Sequence, residues 1–409
     1  MRSGIVATLL AGVAGLATGP LAAEPLTLEQ AVDRAVAAAP ELAANQASVD
    51  AARASARQAS FRLNPTVAVE VENLAGTGNY SVLEQPEVTV TYSQPIERGG
   101  KRAARMAYAA RGVELAEAQS RLARLQIGQQ VQRAFIDTQI ADQLVWIAEQ
   151  RLTTEKDLQT EALRRVRGYK DPLFVETAAS ARVTAAELAL DEARARAASA
   201  RNLLASYWGG SGAGLDVAKG IVKPPVSGDL AAVDAAVREA ALARASAEVV
   251  VEQSRATPDY TVSGGARFLR ETNDVALVAG VSFPLGRFDR NQGNIERAQA
   301  ERRRLEAEAE ADRLARLRRL VSLRAQAEAA SQRADGLIEK VYPQAQKTLA
   351  QVREGYNRGG FRFSDIQAAA DAIIEVQQQW VEAMTTWRDA QSEIDRLTGR
   401  FDVAAETVP

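Results

Sequence analysis

Apolar residues recur along this chain with two different periods, and the alternation between them organises the whole sequence. Thr27-Leu28-Glu29-Gln30 fits a capping box, and a helix is expected from there to about Arg62, stopped by Asn64-Pro65. TVAVEVENL then alternates, with Val67, Val69 and Val71 on one side and Thr66, Ala68, Glu70 and Glu72 on the other. The stretch AGTGNYS marks a loop. A second alternating run sets Val88, Val90 and Tyr92 against Glu87, Thr89, Thr91 and Ser93. SQPIERGGKRAAR follows, and Pro95, Gly99 and Gly100 mark a strand-to-helix junction where glycine permits backbone angles other residues resist.

From about Lys101 to Val166 the pattern is helical, with Ile136, Ile140, Leu144 and Ile147 on one face. Roughly 65 residues at 1.5 Å each would reach about 100 Å, longer than a globular domain needs. RGYKDPLF predicts a turn in which Gly168 ends this helix, Asp171 caps the next and Pro172 occupies its first position. The return helix runs to about Trp208, and GGSGAG with Lys223-Pro224-Pro225 forms a linker.

The scheme then repeats. A helix from Asp229 ends near Pro258, and YTVSGGARF and VALVAGVSF read as strands parted by a loop containing Glu271 to Asp274. The junction SFPLGRFDRNQGNIERAQA carries Pro284 and Gly293. A second long helix is expected from about Asn294 to Arg353, a turn through GYNRGGFRF, and a return from Ser364 to about Leu397. Arg-Leu-Ala-Arg-Leu occurs at both 121–125 and 313–317, and Ile373, Trp380, Trp387 and Ile394 fall every seven residues as a packing seam. The predicted organisation is a first repeat over 24–208, a linker over 209–228, a second repeat over 229–400 and a tail over 401–409.

Strands of about ten residues with one apolar face have the length and pattern of outer-membrane strands. Four cannot close a membrane barrel, whose smallest form has about eight. An open edge in lipid leaves backbone groups unsatisfied, so strands must be shared between subunits, twelve in a trimer or eight in a dimer. The expected fold is therefore mixed α/β but mainly α, with long coiled-coil hairpins and four membrane strands per subunit. A soluble sheet with one solvated face is the competing explanation.

Composition narrows the function. Aromatics are 5% and the net charge is −2, so no charge-driven nucleic-acid partner is indicated, and Arg302, Arg303 and Arg304 sit among glutamates as a solvated face. Cysteine and histidine are absent, which removes Cys-His nucleophiles, histidine bases and common zinc ligand sets. No catalytic, cofactor or metal site is expected, and no enzyme motif is found. Arg2, the apolar run from about Gly4 to Ala17 and the small residues Ala22-Ala23 read as a secretory signal peptide over residues 1–23.

LNPTVAVEVENLAG with SQPIERGGKRAAR, and FPLGRFDRNQGNIERAQAE in the second half, resemble the outer-membrane efflux (TolC-like) family. Glu72-Asn73 and the Pro-Ile-Glu-x-Gly-Gly-Lys-Arg element resemble its heavy-metal, cobalt–zinc–cadmium branch (CzcC-like), over roughly residues 24 to 400. The resemblance implies a homotrimer with a twelve-stranded outer-membrane β-barrel on a periplasmic α-barrel in a Gram-negative bacterium. It also implies a periplasmic adaptor, an inner-membrane pump of the resistance-nodulation-division (RND) type, and a passive duct between pump and exterior. Many relatives in that branch carry a lipid-modified N-terminal cysteine; with none here, anchoring is expected to rest on contact between the barrel and outer-membrane lipid.

By the same resemblance, Tyr356 and Asp365 match a gating tyrosine and a pore-constricting aspartate, while the second constricting aspartate would fall at Ala368. Asp365 equally suits the first turn of a helix, where Ser364 and Gln367 fit a capping box. Arg358 and Arg362 are candidates to latch the tip onto acids of the neighbouring hairpin. Arg98, Lys101 and Arg102 suit either lipid headgroups or plain solvation. A duct for drugs or secreted proteins would share this architecture, and a periplasmic coiled-coil scaffold would share the hairpins but not the strands.

Overall fold

The computed structural model describes residues 25–78, 85–218 and 229–401. The expected signal peptide, the middle of the first strand loop, the second half of the linker and most of the tail lie outside the described residues.

Helix α1 (Leu28–Ala38) begins at the expected capping box: Gln30 N donates to Thr27 Oγ1 (3.2 Å) and Thr27 N donates to Gln30 Oε1 (3.1 Å). The predicted single helix is nevertheless two. Ala39 is extended, with ψ 115°, because the ring of Pro40 disfavours helical angles in the preceding residue; Pro40 then opens α2 (Pro40–Ala59).

Strands β1 (Thr66–Glu72), β2 (Glu87–Ile96), β3 (Tyr260–Leu269) and β4 (Asp274–Ser282) form one antiparallel sheet in the order β1-β2-β3-β4. Both halves of the chain thus contribute to a single sheet, joined where β2 meets β3. Asn73 (φ 56°) and Asn273 (φ 59°) take the left-handed conformation at the loop ends, which asparagine tolerates better than most residues. At Gly265 a Cβ would stand 2.1 Å from the Val90 carbonyl oxygen, so the close approach of β3 to β2 requires glycine. Gly265→Ala is expected to push these strands apart and sharply reduce the yield of folded protein, measured by extraction and thermal unfolding; Gly264→Ala, where a Cβ meets nothing within 4 Å, should be tolerated.

Helix α3 (Lys101–Arg167) is continuous over 67 residues. Helix α4 (Phe174–Ser206) returns along it, burying Val175, Ala179, Val183, Ala186, Leu190, Ala197 and Leu204 as one stripe. The alanines explain the composition: small side chains let two long helices approach with few aromatics between them. Gly128 in α3 has a similar use, since a Cβ there would lie 2.9 Å from the Phe401 side chain.

In the second half, α5 (Ala232–Arg255) precedes β3. After β4 the expected single helix is interrupted: α6 (Gln292–Gly336) passes through a π-helical turn at Leu337–Val341 into α7 (Tyr342–Arg358). Pro343 cannot donate a backbone hydrogen bond and its ring would crowd the preceding turn; the widened turn absorbs this without ending the helix. Helix α8 (Phe363–Thr398) returns along α6, packing Met384, Trp387 and Ile394 on Leu320, Leu323 and Ala327, with Trp380 at the seam's margin. Polar contacts fix the register of α3 against α8: Gln132 Nε2 donates to Asp395 Oδ2 (2.7 Å), and Gln391 and Arg400 donate to the same carboxylate. Among the described residues no helix is long and apolar enough to cross a membrane.

Candidate functional site

Three features can carry function: the two-faced sheet, its junctions with the helices, and the far tip of the hairpins. The register aligns the apolar residues of all four strands on one face. Val69 lies opposite Val90, Val90 opposite Ala266, and Ala266 opposite Leu277. This face is bare: Val67 is 68% exposed, Val275 68% and Leu277 89%. The other face is polar and internally paired. Arg267 binds Glu87 (3.1 Å) and Glu72 (3.2 Å), and its Nε donates to Thr89 Oγ1 (3.0 Å). An apolar face turned to solvent across a whole sheet is the reverse of a soluble protein's arrangement, and it is what a lipid-facing wall requires.

The first junction is held by the side chains of Lys101, Arg102 and Arg105 and by the backbone of Arg98, in a stretch whose charges suggested headgroup binding or solvation. Lys101 Nζ pairs with Asp259 Oδ2 (2.8 Å), and Arg98 N donates to Asp259 Oδ1 (2.8 Å). Arg102 and Arg105 donate to the carbonyls of Ser60, Ala59 and Phe61, where basic groups favour the helix C-terminal end of α2. Their neighbours are therefore protein groups. Gly99 (φ 64°) and Gly100 (φ 74°) are both left-handed, and a Cβ on Gly99 would also strike Thr257 at 2.7 Å. Pro95 sits in β2 opposite Thr261. At the second junction, beyond Pro284, the left-handed residue is Asn291 (φ 60°), anchored by Nδ2 donating to Glu252 Oε2 (2.7 Å); Gly293 lies within the first turn of α6.

At the opposite end of the helices the two hairpin turns pack together. Tyr356 is fully buried between them, among Leu158, Ala162, Val175, Phe363 and Ile366. Its hydroxyl donates to Asp171 Oδ2 at 2.5 Å. Arg165 grips the same carboxylate with two bonds (2.8 and 3.0 Å), donates to the Tyr356 carbonyl, and lies 4.2 Å from the Tyr356 ring centroid. Asp171 therefore does not cap α4, contrary to expectation, and the left-handed residue in this turn is Tyr169 (φ 54°) rather than Gly168. The Arg165 hydrogen bonds hold the Asp171 carboxyl below the usual carboxylate range against the opposing effect of burial. Burial, with the Asp171 charge adding to it, pushes the Tyr356 phenol up.

Further bonds join the hairpins: Arg164 Nη2 donates to Asn357 Oδ1 (2.9 Å), Arg353 pairs with Glu161, and Arg182 bridges Glu155 and Asp371. Arg358 pairs with Glu354 on its own helix. The backbone N–H of Arg362 donates to Asp365 Oδ2 (2.8 Å), so Asp365 caps α8 in place of the expected Ser364–Gln367 pair. Asp365 and Ala368 are exposed on the protomer surface. Sequence reasoning missed Arg165, Arg182 and the true role of Asp171, because the cross-hairpin partners Tyr356 and Asp371 lie some 190 residues away in the chain.

The family model for the outer membrane efflux protein matches residues 31–210 and again 231–400. The chain belongs to the outer membrane efflux protein family. It is 32% identical over 392 residues to the cobalt-zinc-cadmium resistance protein CzcC of Cupriavidus metallidurans, covering 93% of this chain and 91% of that one. It is 29% identical over 290 residues to the nickel-cobalt-cadmium resistance protein NccC of Alcaligenes xylosoxydans, covering 69% and 66%. Its fold is similar to that of the outer membrane protein VceC of Vibrio cholerae, with a TM-score of 0.75 at 18% identity over 91% of this chain and 96% of that one. The efflux chain is thus the outer-membrane channel component of an efflux system, and the double match follows the element order, helix, two strands and long hairpin, twice over.

Proposed function

We propose that three copies of this chain form a passive duct for heavy-metal cations across the outer membrane of a Gram-negative bacterium. The observation that carries this reading is the four-stranded sheet, apolar on one face, polar on the other, and open at both β1 and β4. Neither edge can remain unpaired in lipid, and three such sheets make a twelve-stranded wall with Arg267, Glu72 and Glu87 facing an aqueous bore. The helical hairpins extend the wall into the periplasm, where a periplasmic adaptor and an inner-membrane RND-type pump deliver the cargo and supply the energy. The names of the two sequence relatives, both given for resistance to divalent metals, support metal over drug or secreted-protein cargo.

The tip is the gate in this reading. Tyr356, Asp171 and Arg165 hold the two hairpins of one copy together, while three copies of Asp365 on the axis favour cations. Arg358, which also pairs with Glu354, and Arg362 are the residues proposed to latch the tip onto acids of the neighbouring hairpin. The test is single-channel conductance of detergent-extracted protein in planar bilayers, with its oligomeric mass measured in parallel. A trimer with small, cation-preferring conductance supports the duct. A water-soluble species without channel activity removes it. For the cargo, co-expression with the pump and adaptor of a cobalt–zinc–cadmium system is expected to restore tolerance to those ions, and no gain in tolerance would argue against metal.

A further inference from the structure

Five charged side chains are buried among the described residues, and four of them sit beside an opposite charge. Glu155 is paired with Arg182, Arg165 with Asp171, Glu252 with Arg255 and Asp395 with Arg400, all within 3.0 Å. Arg388 in α8, only 7% exposed, has no such partner among the described residues. Its Nη1 donates to Gln139 Oε1, a neutral amide, and this is the one hydrogen bond its side chain makes among those residues. Gln139 is itself fixed: its Nε2 donates to the Ala218 carbonyl (2.6 Å), which turns its oxygen to the guanidinium. Burial pushes the Arg388 pKa down to about 10, and no carboxylate opposes it. A buried charge kept without a counter-charge is costly, and here the cost has no structural return within the protomer.

Arg388 lines a cleft of about 410 Å³, bounded by α3, the end of α4, the segment at Asp216-Val217 and α8. That volume falls in the range of about 300–1,000 Å³ typical of small-molecule sites. Trp146 of α3 and Trp380 of α8 also line it, with Met384 between Trp380 and Arg388 in sequence. Trp146 is 45% exposed, a large aromatic surface left uncovered beside a buried cation. The acids of the cleft are engaged elsewhere or open to water: Asp142 pairs with Arg201, Glu149 with Arg194 (3.1 Å), and Asp216 is exposed.

We propose that this cleft binds a small organic anion, a carboxylate on a flat apolar body. The carboxylate pairs with the Nε–Nη2 edge of Arg388, which Gln139 leaves free, in the two-bond arrangement that the guanidinium fork favours. The apolar body lies against Trp146 and Trp380. Since α3 belongs to the first repeat and α8 to the second, the bound anion ties the two repeats together near the middle of α3. The site is separate from the hairpin tip, its ligand is opposite in charge to the proposed cargo, and the inference does not rest on the duct.

The test uses the full chain in detergent, with 2-naphthoate as probe and the neutral 2-naphthamide as its comparison, followed by calorimetric titration against a detergent blank. Wild type is expected to bind naphthoate at least tenfold more tightly than the amide and to melt at higher temperature as naphthoate is added. Arg388→Met should lower naphthoate affinity at least tenfold, to the level of the amide, while its own Tm stays equal or rises, because a well-packed apolar group replaces an unmatched buried charge. Trp146→Ala should weaken both probes. Where Arg388→Met fails to fold, Gln139→Glu decides: it keeps Arg388 and supplies a counter-charge at the same place, so naphthoate binding should be lost. Equal affinity of wild type for the two probes, or no binding of either by folded protein, overturns the proposal. So does wild-type naphthoate affinity in folded Arg388→Met or in Gln139→Glu.

Discussion

Tyr356→Phe is expected to raise the open fraction of the channel, and Arg165→Ala to raise it further. The phenol is buried and donates a hydrogen bond to an ionised carboxylate. Hydrogen bonds to charged groups contribute about 1.5–3 kcal/mol, so losing this one shifts a closed–open equilibrium by roughly ten- to a hundredfold. Arg165 contributes more: two bonds to Asp171, one to the Tyr356 carbonyl and its stacking on the ring. Both members of the Arg165–Asp171 pair are shielded, at 9% and 13% side-chain exposure, so solvent screening discounts the pair little. Breaking such a pair costs about 3–5 kcal/mol because the remaining charge is left unmatched. Single-channel open probability is the readout. Wild-type conductance in both variants, with oligomer mass unchanged, would place the constriction elsewhere.

The same cluster sets the pH response. Asp171 is held below its unfolded pKa, so its stabilisation is complete above the ordinary carboxylate range and is lost as pH falls through the depressed folded value. Mild acidification to about pH 5 should leave the tip closed, and loosening should appear only well below the ordinary carboxylate pKa of about 3.9. On the alkaline side the raised phenol keeps its proton, so Tyr356 remains a donor beyond the normal tyrosine pKa of about 10.

How much of this was legible beforehand depended on the range of the interaction. The strands were legible because alternation is a local signal and lipid on one side makes it clean: Val67, Val69 and Val71 fall where the pattern places them. The long helices were legible from their period, but their interruptions were underestimated. Pro40 and Pro343 each broke an element read as continuous, one by restricting the residue before it and the other by forcing a widened turn. Side-chain roles at the tip were less accessible. Asp171 in KDP has every local mark of a helix cap, and only the arrival of Tyr356 and Arg165 beside it converts it into a cross-hairpin acceptor. Asp365 went the other way, its carboxylate serving its own helix as a local signal allows. At the junctions, Lys101 and Arg102 looked like surface charges because Asp259 and the Ser60 carbonyl are remote in sequence.

Val90→Arg and Thr91→Arg should differ greatly in effect although the residues are adjacent. Both lie on β2, which is paired on each side, so neither substitution touches a free edge. Val90 lies on the apolar face between Val69 and Ala266, while Thr91 lies on the polar face between Ala68 and Gly265, where small neighbours leave room. An arginine facing lipid near the bilayer midplane costs about 2–4 kcal/mol per copy, and one facing an aqueous bore costs little. In a ring of three, Val90→Arg repeats its cost in every subunit and should abolish stable oligomers in native membranes, read by their heat-resistant mobility and by urea unfolding in bilayers. Thr91→Arg should assemble normally and shift ion preference toward anions, since it adds positive charge beside the Arg267–Glu87 group. A soluble sheet with one wet face predicts the opposite ranking, because its apolar side would be covered by protein and its polar side open to water. Equal tolerance of the two variants would show that neither face meets lipid. The pair therefore separates a membrane wall from every soluble alternative with one residue's shift along one strand.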